Sequence, residues 1–288
     1  MNQPANLAVA TRPIGVLDSG VGGLSILREL RAQLPAEDVI YVADQAHIPY
    51  GTRPIEQVRA FTVGVAQFLI AQGVKLIVVA CNTASAAALY RLRELFPHLP
   101  FVGMEPAVKP AARDTRTGVI GVIATETTFQ GELYASVVGR FAQGVRVEAR
   151  ACPEFVRLAE AGETHSPAAH QAVRQCLQPL LAAGIDQLVL GCTHFPFLKE
   201  TIQAEAGPGV TIVDPSPAVA RQAGRVLEAR GVLNDSGREG RVIYYTSGSP
   251  DRFRATLGAL LGSQCAATAD VRAVTWAAGV LRVATSQG

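Results

Sequence analysis

Short apolar runs recur along the chain, separated by longer stretches with helical spacing. "PIGVL" (13–17), "VIYVA" (39–43), "KLIVVA" (75–80), "GVIGVI" (118–123), "VRVEAR" (145–150), "QLVLG" (187–191), "VTIV" (210–213) and "RVIYYT" (241–246) read as strands. "LSILRELRAQL", "PIEQVRAFTVGVAQFLIAQG" and "TASAAALYRLRELF" carry apolar residues three and four apart, the helical period. Several of the strands are apolar throughout, as parallel strands covered on both faces must be. The alternation predicts an α/β architecture with parallel sheets. In such sheets ligands gather beyond the carboxyl ends of the strands. "KLIVVACNTAS" and "DQLVLGCTHFP" each end a strand on a cysteine followed by small polar residues, so Cys81 and Cys192 are expected there.

These two stretches also echo each other. "IGVLDSG" (14–20) matches "IGVIATE" (120–126), and "LIVVACNT" matches "QLVLGCTH", at the nearly equal offsets of 106 and 111 residues. Two echoes in one order suggest two similar α/β units whose loops face one another across a cleft. Pro100–Pro106 and the "DPSP" break at Asp214–Pro217 mark the boundaries. The expected units are 1–103 plus 214–288, the later segment returning to the first unit, and 104–213. The Ala-rich stretch after Ser263 yields no clear pattern.

At 288 residues, with 49% hydrophobic and 17% charged residues, the chain can bury a large core. A net charge of +2 and the lack of a basic run interleaved with aromatics exclude a nucleic-acid footprint. No apolar segment approaches the ~18 residues of a membrane span. The N-terminal segment has no basic region of a secretory signal, so a cytoplasmic protein with reduced thiols is expected. The five cysteines show no CxxC spacing, which argues against a metal cluster or a disulfide framework.

Among candidate groups, a single free cysteine is most often a small buried hydrophobe, and Cys152, Cys176 and Cys265 are read that way. Cys81 and Cys192 differ because helix starts and nearby donors favour a reactive thiol. In "LDSGVGGLS" (17–25) a Gly-rich turn joins strand to helix. Asp18 would repel a phosphate, which leaves two readings: a capped tight turn, or a carboxylate that holds an ammonium group or orients a catalytic partner. "ADQAHIPYGTRP" (43–54) sets Asp44, His47 and Tyr50 on a loop at another strand end. Glu160 reads as an ordinary helix-end carboxylate. His194 stands two residues from Cys192, and Asp18, His47 and His194 share no metal-ligand spacing.

Together these pieces resemble the glutamate racemase family of cofactor-independent amino-acid racemases. The matching segments are "IGVLDSGVGGLS", "YVADQAHIPYGTR", "VVACNTASA", "GMEPAVKPA", "ACPEFVRLAEAG", "LVLGCTHFPFL" and "DPSPAVA", in family order. The resemblance implies two α/β domains with the active site between them. It makes Cys81 and Cys192 the two acid/base thiols, Asp18 and His194 their polar partners, and Asp44 and Glu160 further carboxylates of the site. Ser19, Tyr50, Gly51, Asn82, Thr83 and Thr193 match substrate-holding positions, as do Asp18 and His194. It further implies no cofactor, no metal, glutamate as the small-molecule substrate, a homodimer, and supply of D-glutamate for peptidoglycan. Phe195 replaces a common Tyr, and Arg157 stands where Pro is usual.

Other readings compete. Aspartate racemases look similar but typically carry Glu in place of His194. A non-enzymatic two-domain amino-acid binding protein would share the cleft yet leave the paired thiols unexplained. A cysteine hydrolase needs one nucleophile, not two. Pyridoxal chemistry would have to use Lys75, Lys109 or Lys199, the only lysines.

Overall fold

A computed structural model describes residues 8–284. Its strands are β1 (Ile14–Asp18), β2 (Val39–Ala43), β3 (Leu76–Val79), β4 (Phe101–Gly103), β5 (Val119–Ala124), β6 (Arg146–Ala151), β7 (Gln187–Leu190), β8 (Thr211–Val213), β9 (Val242–Thr246), β10 (Asp270–Ala277) and β11 (Val280–Val283). They form a seven-stranded sheet in the order β11-β10-β9-β2-β1-β3-β4 and a four-stranded sheet in the order β6-β5-β7-β8. The segment β2-β1-β3-β4 repeats as β6-β5-β7-β8, all parallel. The sequence echoes are therefore the inner strand pairs β1/β3 and β5/β7 of two sheets wound alike.

Alternation within each strand explains why both sheet faces are covered. Ile14 and Val16 of β1 enter one apolar cluster and Leu17 enters the other. Helices Leu24–Gln33, Ser216–Ala229 and Pro250–Leu261 supply the first cluster; Ile55–Ala71 and Asn82–Leu95 supply the second. Helix Ser216–Ala229 packs on Leu24–Gln33, so the chain beyond Asp214 lies with the first sheet. The smaller sheet is covered by Pro153–Glu160, Pro167–Ala182 and Lys199–Ala206 on one face, and by Val108–Asp114 and Glu132–Phe141 on the other.

Two parts depart from the expectations. β4 is only three residues long, too short for a periodic signal. The chain beyond Ser263 forms a short helix, Ser263–Thr268, and then a hairpin. β10 runs parallel to β9, and β11 turns back antiparallel through Ala278 and Gly279, both at positive φ. A half-exposed edge strand of mixed composition carries little hydrophobic signal.

One expectation is corrected. Cys152 and Cys176 are joined as a disulfide, their Cα atoms 6.3 Å apart. Cys152 precedes helix Pro153–Glu160 and Cys176 lies on Pro167–Ala182, and both belong to one apolar cluster. Helix packing brings these residues together, and sequence spacing carries no trace of it.

Candidate active site

Four of the candidate groups stand where parallel strands end, while Glu160 closes helix Pro153–Glu160. Asp18 closes β1, Asp44 follows β2, Cys81 follows β3 and Cys192 follows β7. A cavity of ≈ 270 Å³ lies between the two sets of strand ends. That is below the ~300–1,000 Å³ of sites for drug-sized ligands and suits a small molecule. Ser19, Tyr50, Gly51, Cys81 and Thr83 line it from the first sheet's loops. Glu160, Cys192 and His194 line it from the second.

The two thiols have different surroundings. Cys192 Sγ lies 3.6 Å from His194 Nδ1, and His194 Nε2 lies 2.7 Å from Glu160 Oε1. Burial alone would lower the His194 pKa, but the Cys192 sulfur and Glu160 carboxylate hold it well above the usual histidine range. Burial likewise works to raise Glu160, and its bond to His194 reverses that, leaving it below the usual carboxylate range. A protonated imidazole therefore sits between a carboxylate and a sulfur, a ready partner for negative charge on Cys192.

Cys81 is set up in the opposite sense. Its thiol caps helix Asn82–Leu95, accepting from Ala84 N at 3.4 Å, and lies 3.9 Å from Ser19 Oγ. Burial, with the negative charge of Asp18 next in importance, pushes the thiol up to about 12. Asp18 is itself raised by burial, with His194 opposing. The site thus pairs a thiol held protonated with a thiol facing a cation.

The Gly-rich turn is the seam between the two halves. Asp18 Oδ2 accepts from Gly20 N at 2.9 Å, so the turn is pinned by its own carboxylate. Val21 N donates to Glu160 Oε1 at 2.7 Å across 139 residues, and Ser25 Oγ donates to the Thr193 carbonyl at 2.9 Å. A Cβ on Gly20 would overlap the Glu160 carboxylate, and one on Gly22 would come within 2.5 Å of His194 Nδ1. Glycine is required here because backbone of one half touches catalytic-type side chains of the other.

Asp18, Asn82, Thr193 and Asp44 stand behind the wall rather than on it. Asp18 Oδ1 and both amide atoms of Asn82 are buried without a hydrogen-bond partner among the described residues. Such atoms cost free energy unless something completes them. Asp44 accepts the Tyr50 hydroxyl at 2.7 Å, and His47 lies against both Asp44 and the Phe61 ring. His47 is thereby tied into a structural cluster.

Several wall residues carried no clear signal. Thr125 lines the cavity and bonds Thr83 Oγ1 at 2.9 Å, while Thr127 Oγ1 donates to the Gly51 carbonyl at 2.9 Å. The echo contained a hint, because aligning "IGVLDSG" with "IGVIATE" places Thr125 opposite Ser19. Arg157, the departure noted above, lines the cavity and forms an exposed ion pair with Glu154 at 2.6 Å. Phe195, the other, is buried against Phe155 with ring centroids 5.1 Å apart.

A doubled α/β winding thus brings two thiols from equivalent strand ends into one small cavity. A profile of the Asp/Glu/Hydantoin racemase family matches residues 14–223, and the chain belongs to that family. It is 51% identical over 247 residues to a glutamate racemase of Deinococcus radiodurans, covering 85% of each chain. It is 49% identical over 245 residues to one of Roseiflexus, covering 85% of this chain and 90% of the relative. The solved glutamate racemase of Thermus thermophilus superposes with a TM-score of 0.78 at 41% identity, over 92% of this chain and 98% of that one.

Proposed function

We propose that the protein is a glutamate racemase that interconverts L- and D-glutamate by proton transfer between two cysteines, without a cofactor. The observation that carries this reading is the pair of thiols at equivalent strand ends, lining one cavity in opposite electrostatic settings. Cys192, beside protonated His194, removes the α-proton of L-glutamate. Cys81, protonated at neutral pH, returns a proton to the other face. For D-glutamate the roles exchange.

A positioned acid or base contributes about 10²–10⁴-fold, too little alone for so weak a carbon acid. The remainder comes from donors already aimed at the developing charge. Thr83 and the N-terminus of helix Asn82–Leu95 hold the substrate carboxylate, backed by Asn82 and Thr193, and Ser19, Tyr50 and Gly51 shape the wall. Asp18, behind Ser19 and Cys81, acts on the ammonium group through its charge rather than by contact. Glu160 keeps His194 protonated, and Asp44 acts from behind Tyr50.

The units 1–103 plus 214–288 and 104–213 are read as two domains that close on the substrate. We also place the protein in the cytoplasm as a homodimer supplying D-glutamate to peptidoglycan synthesis, as the family relation suggests. Incubation with L-glutamate in D₂O without added cofactor should erase optical rotation while deuterium enters the α-position; aspartate serves as the control substrate. Cys81→Ser and Cys192→Ser should each lower racemisation by about 10²-fold or more, whereas Cys265→Ser should not. Full activity in both of the first two would refute the two-thiol mechanism.

A further inference from the structure

Asp44 is fully buried, and its carboxylate collects donors from three separate segments of the chain. Oδ2 takes the Tyr50 hydroxyl at 2.7 Å and faces His47 Nδ1 at 2.9 Å. Oδ1 takes Ser247 Oγ at 2.8 Å and the Trp276 indole N–H at 2.7 Å. A carboxylate offers about four acceptor positions, so Asp44 is saturated and acts as a fixed anchor. Its main-chain N–H is spent as well, on the Asp18 carbonyl at 2.9 Å.

Trp276 reaches this anchor from the terminal hairpin, 232 residues away in sequence. Its ring meets His47 edge-on at 5.1 Å and Phe61 at 6.0 Å. The seat is made by Gly64 of helix Ile55–Ala71, where a Cβ would come within 2.6 Å of the indole. Packing alone would be served by phenylalanine. The indole N–H instead ends on the carboxylate that holds Tyr50, and Tyr50 shares both the cavity wall and an apolar cluster with Cys81.

We propose that Trp276 is a positioning residue for racemisation: its N–H, acting through Asp44, fixes the Tyr50 wall beside Cys81. The hairpin is in this sense part of the active-site scaffold. The inference rests on the racemase reading above.

The chain has one tryptophan, which permits a clean test. Biosynthetic replacement of tryptophan by benzothienylalanine changes only this N–H to sulfur, keeping ring shape; Trp276→Phe is the genetic counterpart. Both should lower kcat for glutamate about tenfold, the scale of a lost hydrogen bond to a charged acceptor, with KM changed much less; the isostere should stay folded, its Tm lowered by only a few degrees. In an Asp44→Asn background the same replacement should have little further effect, because the link is already weakened. Unchanged kcat in the isostere, or equal losses with and without Asp44, would overturn the proposal. If the unmodified protein fails to racemise glutamate, the parent reading has failed and this inference falls with it. If the unmodified protein is active and the isostere equally so, only the role of Trp276 is refuted.

Discussion

Glu160→Gln is the most informative perturbation of the Cys192 side. Glu160 holds His194 at 2.7 Å, Val21 N at 2.7 Å and the Gln45 amide at 3.1 Å. Glutamine keeps the size and an oxygen for Val21, so the seam between the halves is preserved. What disappears is the negative charge that holds His194 protonated against the opposing effect of burial. The pair is only 3% and 17% exposed on the His194 and Glu160 side chains, so solvent screens it little. A hydrogen bond to a charged group contributes about 1.5–3 kcal/mol. At about 1.4 kcal/mol per tenfold, kcat should fall by roughly 10- to 150-fold. Polarimetric or circular-dichroism rates from each enantiomer measure this directly. Since the damage lies on Cys192, transfer at that sulfur becomes limiting in both directions. The isotope effect with α-deuterated L-glutamate should then rise, while that with α-deuterated D-glutamate should not, its label having already left to Cys81. A kcat within twofold of the parent, or isotope effects rising equally from both enantiomers, would overturn the role assigned to Glu160.

Two further outcomes concern buried ion pairs, one in the site and one away from it. His194 has a raised pKa in the folded protein, so its stabilising contribution is complete below about 6.5 and is lost as pH rises through the folded value. His194→Asn should therefore lower Tm most at mildly acid pH, the gap from the parent closing as pH increases. Glu160, lowered on folding, adds stability above its ordinary range near 4.5 that is lost as pH falls through the lowered value. In the first sheet, Lys75 Nζ lies 2.6 Å from Glu37 Oε2 and donates to the carbonyls of Ala10 and Val232, with both side chains almost wholly buried. Lys75→Met should cost about 3–5 kcal/mol in urea unfolding by stranding the Glu37 charge. Its KM for glutamate should hold, since neither residue lines the cavity.

Local patterning carried much of this protein into view. Strand periodicity placed eight strands, and the turn from apolar run to small polar residues put Cys81 and Cys192 at strand ends. The echo between the two halves anticipated the doubled winding, because repeated local sequence folds into repeated local structure. Strand positions and their polar tips are governed by neighbours a few residues away, and those are written in the sequence.

Tertiary structure decided the partnerships. Glu160 reads as an ordinary helix-end carboxylate, yet it binds a turn 139 residues distant and holds the histidine of the opposing thiol. Trp276 lies in a stretch without pattern and closes a buried carboxylate 232 residues away in sequence. Cys152 and Cys176 meet only because two helices pack. The contrast between the thiols also arises here, since it depends on burial and on charges delivered from other strands. Such effects act through space between residues far apart in the chain, so only the packed chain specifies them.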